Sequence, residues 1–600
     1  MRSLAHLNKY FWRYKTRFFL GVLFVTVSNF YAVIPPKVVR ITFDLIRELS
    51  IIAPHFKDTP LDIMGAEGLI GVWFFFGGVI MLAAIFKGIF MFLMRQTIVV
   101  MSRLIEYDLK NEIYAHYQDL SLAFFKRNNT GDLMARITED VSKVRMYLGP
   151  AVLYAVNLTV LFVLVIYNML RVSPLLTAYV LIPLPILSVT IYFVSKQINI
   201  RSEKVQRQLS ALSTFVQEGF SGIRVLKAYA KETAWADAFD RETENYKNAS
   251  LDLVQIQALF FPSMVILIGL STILTVYVGG QQAIAGNITT GNIAEFIIYI
   301  NMLTWPVAAI GWITSIIQRA AASQTRINEF LNTEPEIRDA TELPSSINGA
   351  IRFDNVEFVY PDSGIKALDD VSFDVKQGES LAILGRTGSG KSTIASLITR
   401  TYDATKGSVL IDNQAIERLN LSSLRSNIGY VPQDVFLFSE TIAQNIAFGV
   451  ADEGITRERV HLAAKQADIY DNIIDFSKGF DTHIGERGIT LSGGQKQRIS
   501  IARAIIKDPQ ILIFDDCLSA VDTETEEKIL GHLQDLMKGK TTVIISHRVS
   551  SVKHVDQIIM LDHGKIIERG NHETLVKSGG AYQSLYEKQL LEEDQRGRTA

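Results

Sequence analysis

The sequence predicts a chain of two unlike parts, an α-helical membrane half followed by a soluble α/β half built on a phosphate-binding loop. Three observations carry this. Mean hydropathy is +0.19, high for a soluble protein, and the apolar residues concentrate in long runs that end near Ile317. From Ile351 onward the pattern changes to short apolar runs and apolar/polar alternation, as in an ordinary soluble domain. Within that second part, Ser380–Thr393 (SLAILGRTGSGKST) reads as a buried strand, a glycine-rich turn and the start of a helix. The overall balance excludes other classes. With 60 Lys+Arg against 62 Asp+Glu the net charge is −2, so nothing calls for a nucleic-acid partner. Cys517 is the only cysteine, so no intrachain disulfide can form.

The chain opens with Arg2, Lys9, Arg13, Lys15 and Arg17 interleaved with Leu4, Leu7, Tyr10, Phe11 and Trp12, a spacing that suits a helix lying on a membrane surface over about residues 1–17. The apolar run Phe18–Ile34 ends at Pro35-Pro36 without a cleavage site and reads as a retained first span. Runs near Gly68–Leu93, Leu148–Leu170, Leu175–Val194, Val254–Val278 and Ile288–Ile317 bring the expected spans to six. Lys and Arg cluster before the first span, from Arg95 to Arg145, from Lys196 to Lys247 and after Arg319, which places both ends in the cytoplasm. Lys87 and Glu295 are the ionisable residues inside the spans, functional candidates by default, and both lie close enough to a span end that snorkelling suits them as well. The aromatics Trp73–Phe76, Phe260, Phe261, Trp305 and Trp312 suit lipid-facing packing, and an adaptable cavity less well. Arg95–Arg145 and Lys196–Leu251 keep helical periodicity and charge, so they read as long cytoplasmic extensions of the spans, with bends near 117–125 and 218–228. Residues 1–332 therefore form the membrane domain, 333–350 a proline-bounded linker, 351–588 the soluble domain and 589–600 a charged tail expected to be disordered.

The soluble half carries a set of residues with one chemical logic. The pattern G-x-x-x-x-G-K-S runs from Gly385 through Arg386, Thr387, Gly388, Ser389 and Gly390 to Lys391 and Ser392, with Thr393 continuing the helix. Glycines let backbone N–H groups wrap a phosphate chain at the helix N-terminus, the lysine reaches β- and γ-phosphates, and the serine hydroxyl faces Mg²⁺. Tyr360 closes the first strand, and Gln433 ends another at Gly429–Gln433. Leu491-Ser492-Gly493-Gly494-Gln495 opens a helix. Ile511–Phe514 delivers Asp515 and Asp516; Asp522 follows, and Thr542–Ser546 leads to His547. A carboxylate at a buried strand end, here Asp515, is placed to hold Mg²⁺ opposite a phosphate loop. Its neighbour Asp516 can orient or deprotonate the attacking water, and Gln433 and His547 can contact metal, water and the γ-phosphate.

These motifs resemble the nucleotide-binding domain of an ABC transporter, and with the spans the whole chain resembles an ABC exporter half-transporter of the multidrug and lipid-flippase type. Leu491–Gln495 matches the signature motif, and Gly485–Gly488 is typical of exporters. The resemblance implies ATP and Mg²⁺ as cofactors, with Tyr360 stacking on adenine, Lys391, Ser392 and Asp515 holding phosphate and metal, Gln433 linking the site to the membrane half and His547 on the γ-phosphate. It implies a head-to-tail dimer in which Ser492, Gly493, Gly494 and Gln495 contact ATP on the partner, Asp522 senses across the interface, and the two bends are coupling helices. One position departs from the family, which usually has Glu where this chain has Asp516. The shorter side chain falls back from the water, and losing a well-placed general base costs about 10²–10⁴ in rate. Within the family that change typifies the slow-site subunit of heterodimeric exporters; a homodimer with Asp516 as working base is the competing expectation. The expected function is ATP-driven export or flipping of a hydrophobic or amphipathic drug, lipid or peptide across a bacterial cytoplasmic membrane. A non-pumping ATP-gated channel or regulator on the same frame is the alternative.

Overall fold

A computed structural model of the chain describes residues 2–52, 60–450, 455–485, 491–517, 531 and 534–597. It divides into two compact units, one of residues 1–117 and 131–333, the other of residues 118–130 and 334–600.

Among the described residues the first unit has helices and no strand. Five helices among those residues are long and apolar enough to cross a membrane: Lys15–Glu48, Ile70–Asp119, Thr130–Val172, Glu232–Ile284 and Thr290–Leu331. The expected span Leu175–Val194 falls on two helices, Pro174–Leu181 and Pro183–Ser221. Ile182 keeps helical backbone angles, and the break there is one of hydrogen bonding, since Pro183 lacks an N–H to bond back. The first apolar helix, Lys15–Ala32, stops just before Pro35-Pro36, where the apolar run was expected to end. The two prolines sit in the first turn of Ile34–Ile52, where a missing N–H costs nothing. At the start of the chain Leu7 and Tyr10 are buried, and Lys9 pairs with Glu112 at 2.5 Å and Arg13 with Asp108 at 3.1 Å. This segment is therefore pinned to the helix Val100–Asp119 as well as shaped for a bilayer surface. Glu295 does not snorkel. It is 1 % exposed, with Arg40 Nη1 at 3.4 Å and the Tyr299 hydroxyl donating to it at 2.9 Å, so its charge is paired inside the bundle. Trp73, Phe74, Phe75 and Phe261 project outward, as lipid-facing side chains do.

Short helices form at both expected bends, Leu122–Arg127 and Ile223–Ala228. The first belongs to the second unit, where Ala123 is buried in the soluble core and Ser121 and Arg127 both bond Glu336. The second, in the membrane unit, leaves Phe220, Val225 and Tyr229 exposed.

The soluble body holds two sheets. β1 (Ile351–Val359), β2 (Lys366–Val375), β4 (Lys406–Ile411) and β5 (Gln414–Ala415) form an antiparallel sheet in the order β2-β1-β4-β5. β3 (Ser380–Gly385), β6 (Ile428–Val431), β7 (Ile511–Asp515), β8 (Thr541–Ile545), β9 (Gln557–Asp562) and β10 (Lys565–Gly570) form the other, in the order β10-β9-β3-β8-β7-β6. β6, β7, β8, β3 and β9 are parallel, and only β10 runs against its neighbour. Every residue of β7 and β8 is buried, which is why these strands read as unbroken apolar runs. Parallel strands deliver their C-terminal ends to one edge, the usual place for a ligand in such a sheet. The last helix, Ala581–Gly597, runs through the tail expected to be disordered; a run of residues with good helix propensity, Tyr586–Gln595, carries it past 588.

Candidate nucleotide site

The site assembles at the C-terminal edge of β3, β7 and β8. After the buried run Leu381–Leu384 the chain turns through Gly388 (φ +81°) and Gly390 (φ +102°). A Cβ at Gly390 would strike the Ala367 carbonyl, so glycine is required there. The helix Lys391–Ile398 starts immediately after, and its first N–H groups and positive end face the loop. Lys391 is 6 % exposed and donates to the Gly385 and Arg386 carbonyls, each at 2.9 Å. Burial lowers its pKa, while Asp516 and Asp515 oppose that shift.

β7 registers Asp515 against Ile545 of β8, and the Ser392 hydroxyl donates to Asp515 at 3.0 Å. Asp515 is 2 % exposed, and burial raises its pKa against the Ser392 hydrogen bond. Asp516 adopts a left-handed φ of +47°, which Asp tolerates better than most residues. Gln433 donates to its carboxylate at 3.3 Å, and His547 Nε2 lies 3.9 Å away. Burial raises the Asp516 pKa, with His547 the largest opposing influence. Tyr360 Oη lies 3.0 Å from Thr393 Oγ1, and its ring meets Phe358 and Tyr402 edge-on.

Loop, Lys391, Ser392, Thr393, Asp515, Asp516, Gln433, His547 and Tyr360 thus form one connected site. Arg386, Thr387 and Gly388 are exposed on the loop. Ser492 and Gln495 lie elsewhere, as the capping box of helix Gly493–Ile505: Gln495 N–H donates to Ser492 Oγ at 3.3 Å and Ser492 N–H to Gln495 Oε1 at 3.0 Å. No hydrogen bond or ion pair joins Ser492–Gln495 to the phosphate loop among the described residues. Asp522 and Glu486–Gly488 lie outside the described residues. Sequence reading gave no role to two neighbours: Tyr430, on β6 next to β7 and raised in pKa by burial and by the Asp515 carboxylate, and Lys126, whose ammonium stands 5.2 Å from the Tyr360 ring centroid. The signal for Tyr430 was its place three residues before Gln433 on a strand that pairs with β7; nothing in the spacing of Lys126 marked it.

The residues fit the implied cofactors. The Ser389 hydroxyl is buried with no protein partner, and Lys391 spends its donors on loop carbonyls; both are groups a phosphate chain would satisfy. Among the described residues no cluster of three or more His, Cys, Asp or Glu is arranged to hold a metal. Ser392 with Asp515 suits Mg²⁺, which takes one or two protein ligands and completes its shell from phosphate and water.

A helical membrane unit joined to a phosphate-loop domain of this topology defines a membrane-bound nucleotide-driven protein. The ABC transporter transmembrane region model matches residues 18–307, and the ABC transporter model residues 368–519. The multidrug resistance-like ATP-binding protein MdlA of Escherichia coli is 34% identical over 99% of this chain and 97% of its own. The probable multidrug resistance ABC transporter ATP-binding/permease protein YheI of Bacillus subtilis is 35% identical over 98% of both. An ATP-dependent lipid A-core flippase from Syntrophus aciditrophicus is 36% identical over 81% of this chain and 80% of its own. A bacterial Atm1-family ABC exporter solved with ATP bound superposes with a TM-score of 0.76 at 27% identity, covering 96% of this chain and 98% of that one. The chain belongs to the ABC transporter family, and within it to the exporters, which couple ATP hydrolysis to transport.

Proposed function

We propose that this chain is one half of a heterodimeric exporter of amphipathic or hydrophobic compounds, with six spans, both termini in the cytoplasm and a slow ATP site of its own. The observation that carries this is Asp516, held beside Asp515 by Gln433 and His547 where a longer carboxylate would reach further toward the water. In this reading Tyr360 stacks on adenine, and the loop Gly385–Gly390 with Lys391 cradles the phosphates. Ser392, Asp515 and Gln433 hold Mg²⁺, which when bound neutralises charge on the β- and γ-phosphates. Asp516 orients water with His547 on the γ-phosphate. Ser492 and Gly494, at the open end of helix Gly493–Ile505, cap ATP on the partner, whose fast site this chain completes; Asp522 senses across the interface. The exposed apolar side chains of Phe220, Val225 and Tyr229 support a docking partner for the second bend. Relatives named for multidrug resistance and lipid A-core flipping support a lipid-like or drug-like substrate.

The ATPase rate of the chain purified alone, beside Asp516→Glu, tests the reading. A wild-type rate close to background, raised about 10²-fold or more by the variant, supports a site limited by its base. Brisk hydrolysis by a wild-type dimer would remove the heterodimer. That homodimeric outcome has an observation in its favour, since burial raises the Asp516 pKa and so strengthens it as a base.

A further inference from the structure

We infer that the cavity between helices Pro183–Ser221 and Thr290–Leu331 binds an amphipathic anion, with Lys196 the group that selects its charge. The inference rests on the exporter reading and names the substrate class. The cavity has a volume of about 340 Å³ and lies within the membrane unit, in the range of sites for small organic ligands. Its lining is graded along the helices. Ile191, Val307 and Ile310 form one end, and Lys196, Asn199 and Gln318, beside a single apolar Ile200, the other, with Ser195 and Ser315 between. The gradient follows from helical periodicity: Ile191, Ser195 and Asn199 recur every fourth residue, so one face changes from apolar to polar as the helix leaves the bilayer. An alkyl tail would lie toward Ile191 and a headgroup toward Lys196.

The charge of that headgroup follows from what is there. No carboxylate lines the cavity. Lys196 makes no ion pair with any described residue, while Asp252, on helix Glu232–Ile284, is taken by Lys204 at 3.7 Å. A cationic head would meet an uncompensated ammonium; an anionic one would meet that ammonium together with hydroxyl and amide donors. Gly311 opens the wall. A Cβ there would stand 3.5 Å from Ser195 Oγ, so Ala would be tolerated and a larger side chain would enter the cavity.

The test is equilibrium binding to the full chain in phosphatidylcholine nanodiscs, read without ATP so that it is independent of hydrolysis. The probes are dansylaminoundecanoate and a matched dansyl alkyl chain bearing a trimethylammonium head. The carboxylate should bind about tenfold tighter than the cation. Lys196→Gln should erase that preference, Lys196→Arg should keep it, and Gly311→Leu should weaken both probes. Equal affinities for the two heads, or a Lys196→Gln variant that keeps the preference, would overturn the proposal. If the bound carboxylate is displaced when phosphatidylglycerol is added to the disc, the natural ligand is an anionic lipid; if it is retained, a soluble amphiphile. Failure of the exporter reading would show separately, as ligand binding intact without ATP-dependent vesicle transport in the presence of the partner.

Discussion

At the scale of single residues, the site is a set of ionisable groups held in shifted states by burial. Asp515 and Asp516 are both pushed above the ordinary carboxylate value of 3.8. For an acid, a raised folded pKa means the folded chain keeps protons that the unfolded chain has released. Stability from these groups is then full below that ordinary value and is lost as pH rises through the folded pKa. A bound cation reverses the effect by favouring the ionised pair. The thermal stabilisation by Mg-ATP should therefore be larger at about pH 7 than at about pH 5, and in Asp515→Asn both the stabilisation and its pH dependence should shrink. An undiminished shift in that variant would show that Asp515 holds no metal. Asp515, Lys391 and Gln433 were legible because each sits at the end of an apolar run or inside a fixed spacing. Lys126 was not, because it meets the Tyr360 ring only through tertiary packing between segments far apart in sequence.

At the scale of elements, strands read well and helix ends read badly. The runs Ile511–Phe514 and Thr542–Ser546 read as strands, and they register side by side as parallel neighbours. The prolines read unevenly: Pro35-Pro36 follow the end of the first apolar helix at Ala32 as expected and open the next one, whereas Pro183 divides a run that composition alone joined. Gly390 is the loop's strictest position, and Gly390→Ala should abolish nucleotide binding while the sheet still folds, as read by nucleotide fluorescence and circular dichroism. Arg503 offers a second element-scale test. It donates to the Asn445 and Phe436 carbonyls at 2.8 and 2.9 Å and stands over the Phe438 and Phe448 rings, with burial pulling its pKa down to about 10. It ties the segment after Gln433 to the helix that begins at Ser492. Arg503→Met should destabilise the soluble body by about 2–4 kcal/mol and speed amide exchange across Phe436–Phe448; unchanged exchange there would show the tie to be idle.

At the scale of the whole molecule, the membrane half was legible in kind, because hydrocarbon demands long apolar helices, and less so in detail. Composition could say that two long helical pairs leave the bilayer, but not that one bend packs into the soluble core while the other keeps Phe220, Val225 and Tyr229 in the open. Substituting Val225 and Tyr229 together by Ser should leave ATP affinity unchanged and abolish transport by the assembled exporter; transport at the wild-type level would show that this bend transmits nothing. The first bend has a different consequence. Residues 118–130 belong to the compact unit that is otherwise encoded after Thr333, with Ala123 at 1 % exposure inside its core. The soluble body is thus not a cassette that can be cut from the gene at one point. On the ribosome this first piece of its core is made long before the rest, and waits for the remainder to emerge. A domain graft between relatives that exchanges only the region after residue 333 inherits a plug shaped for another socket, so hybrids that carry their own residues 118–130 should express and assemble where simple tail swaps fail.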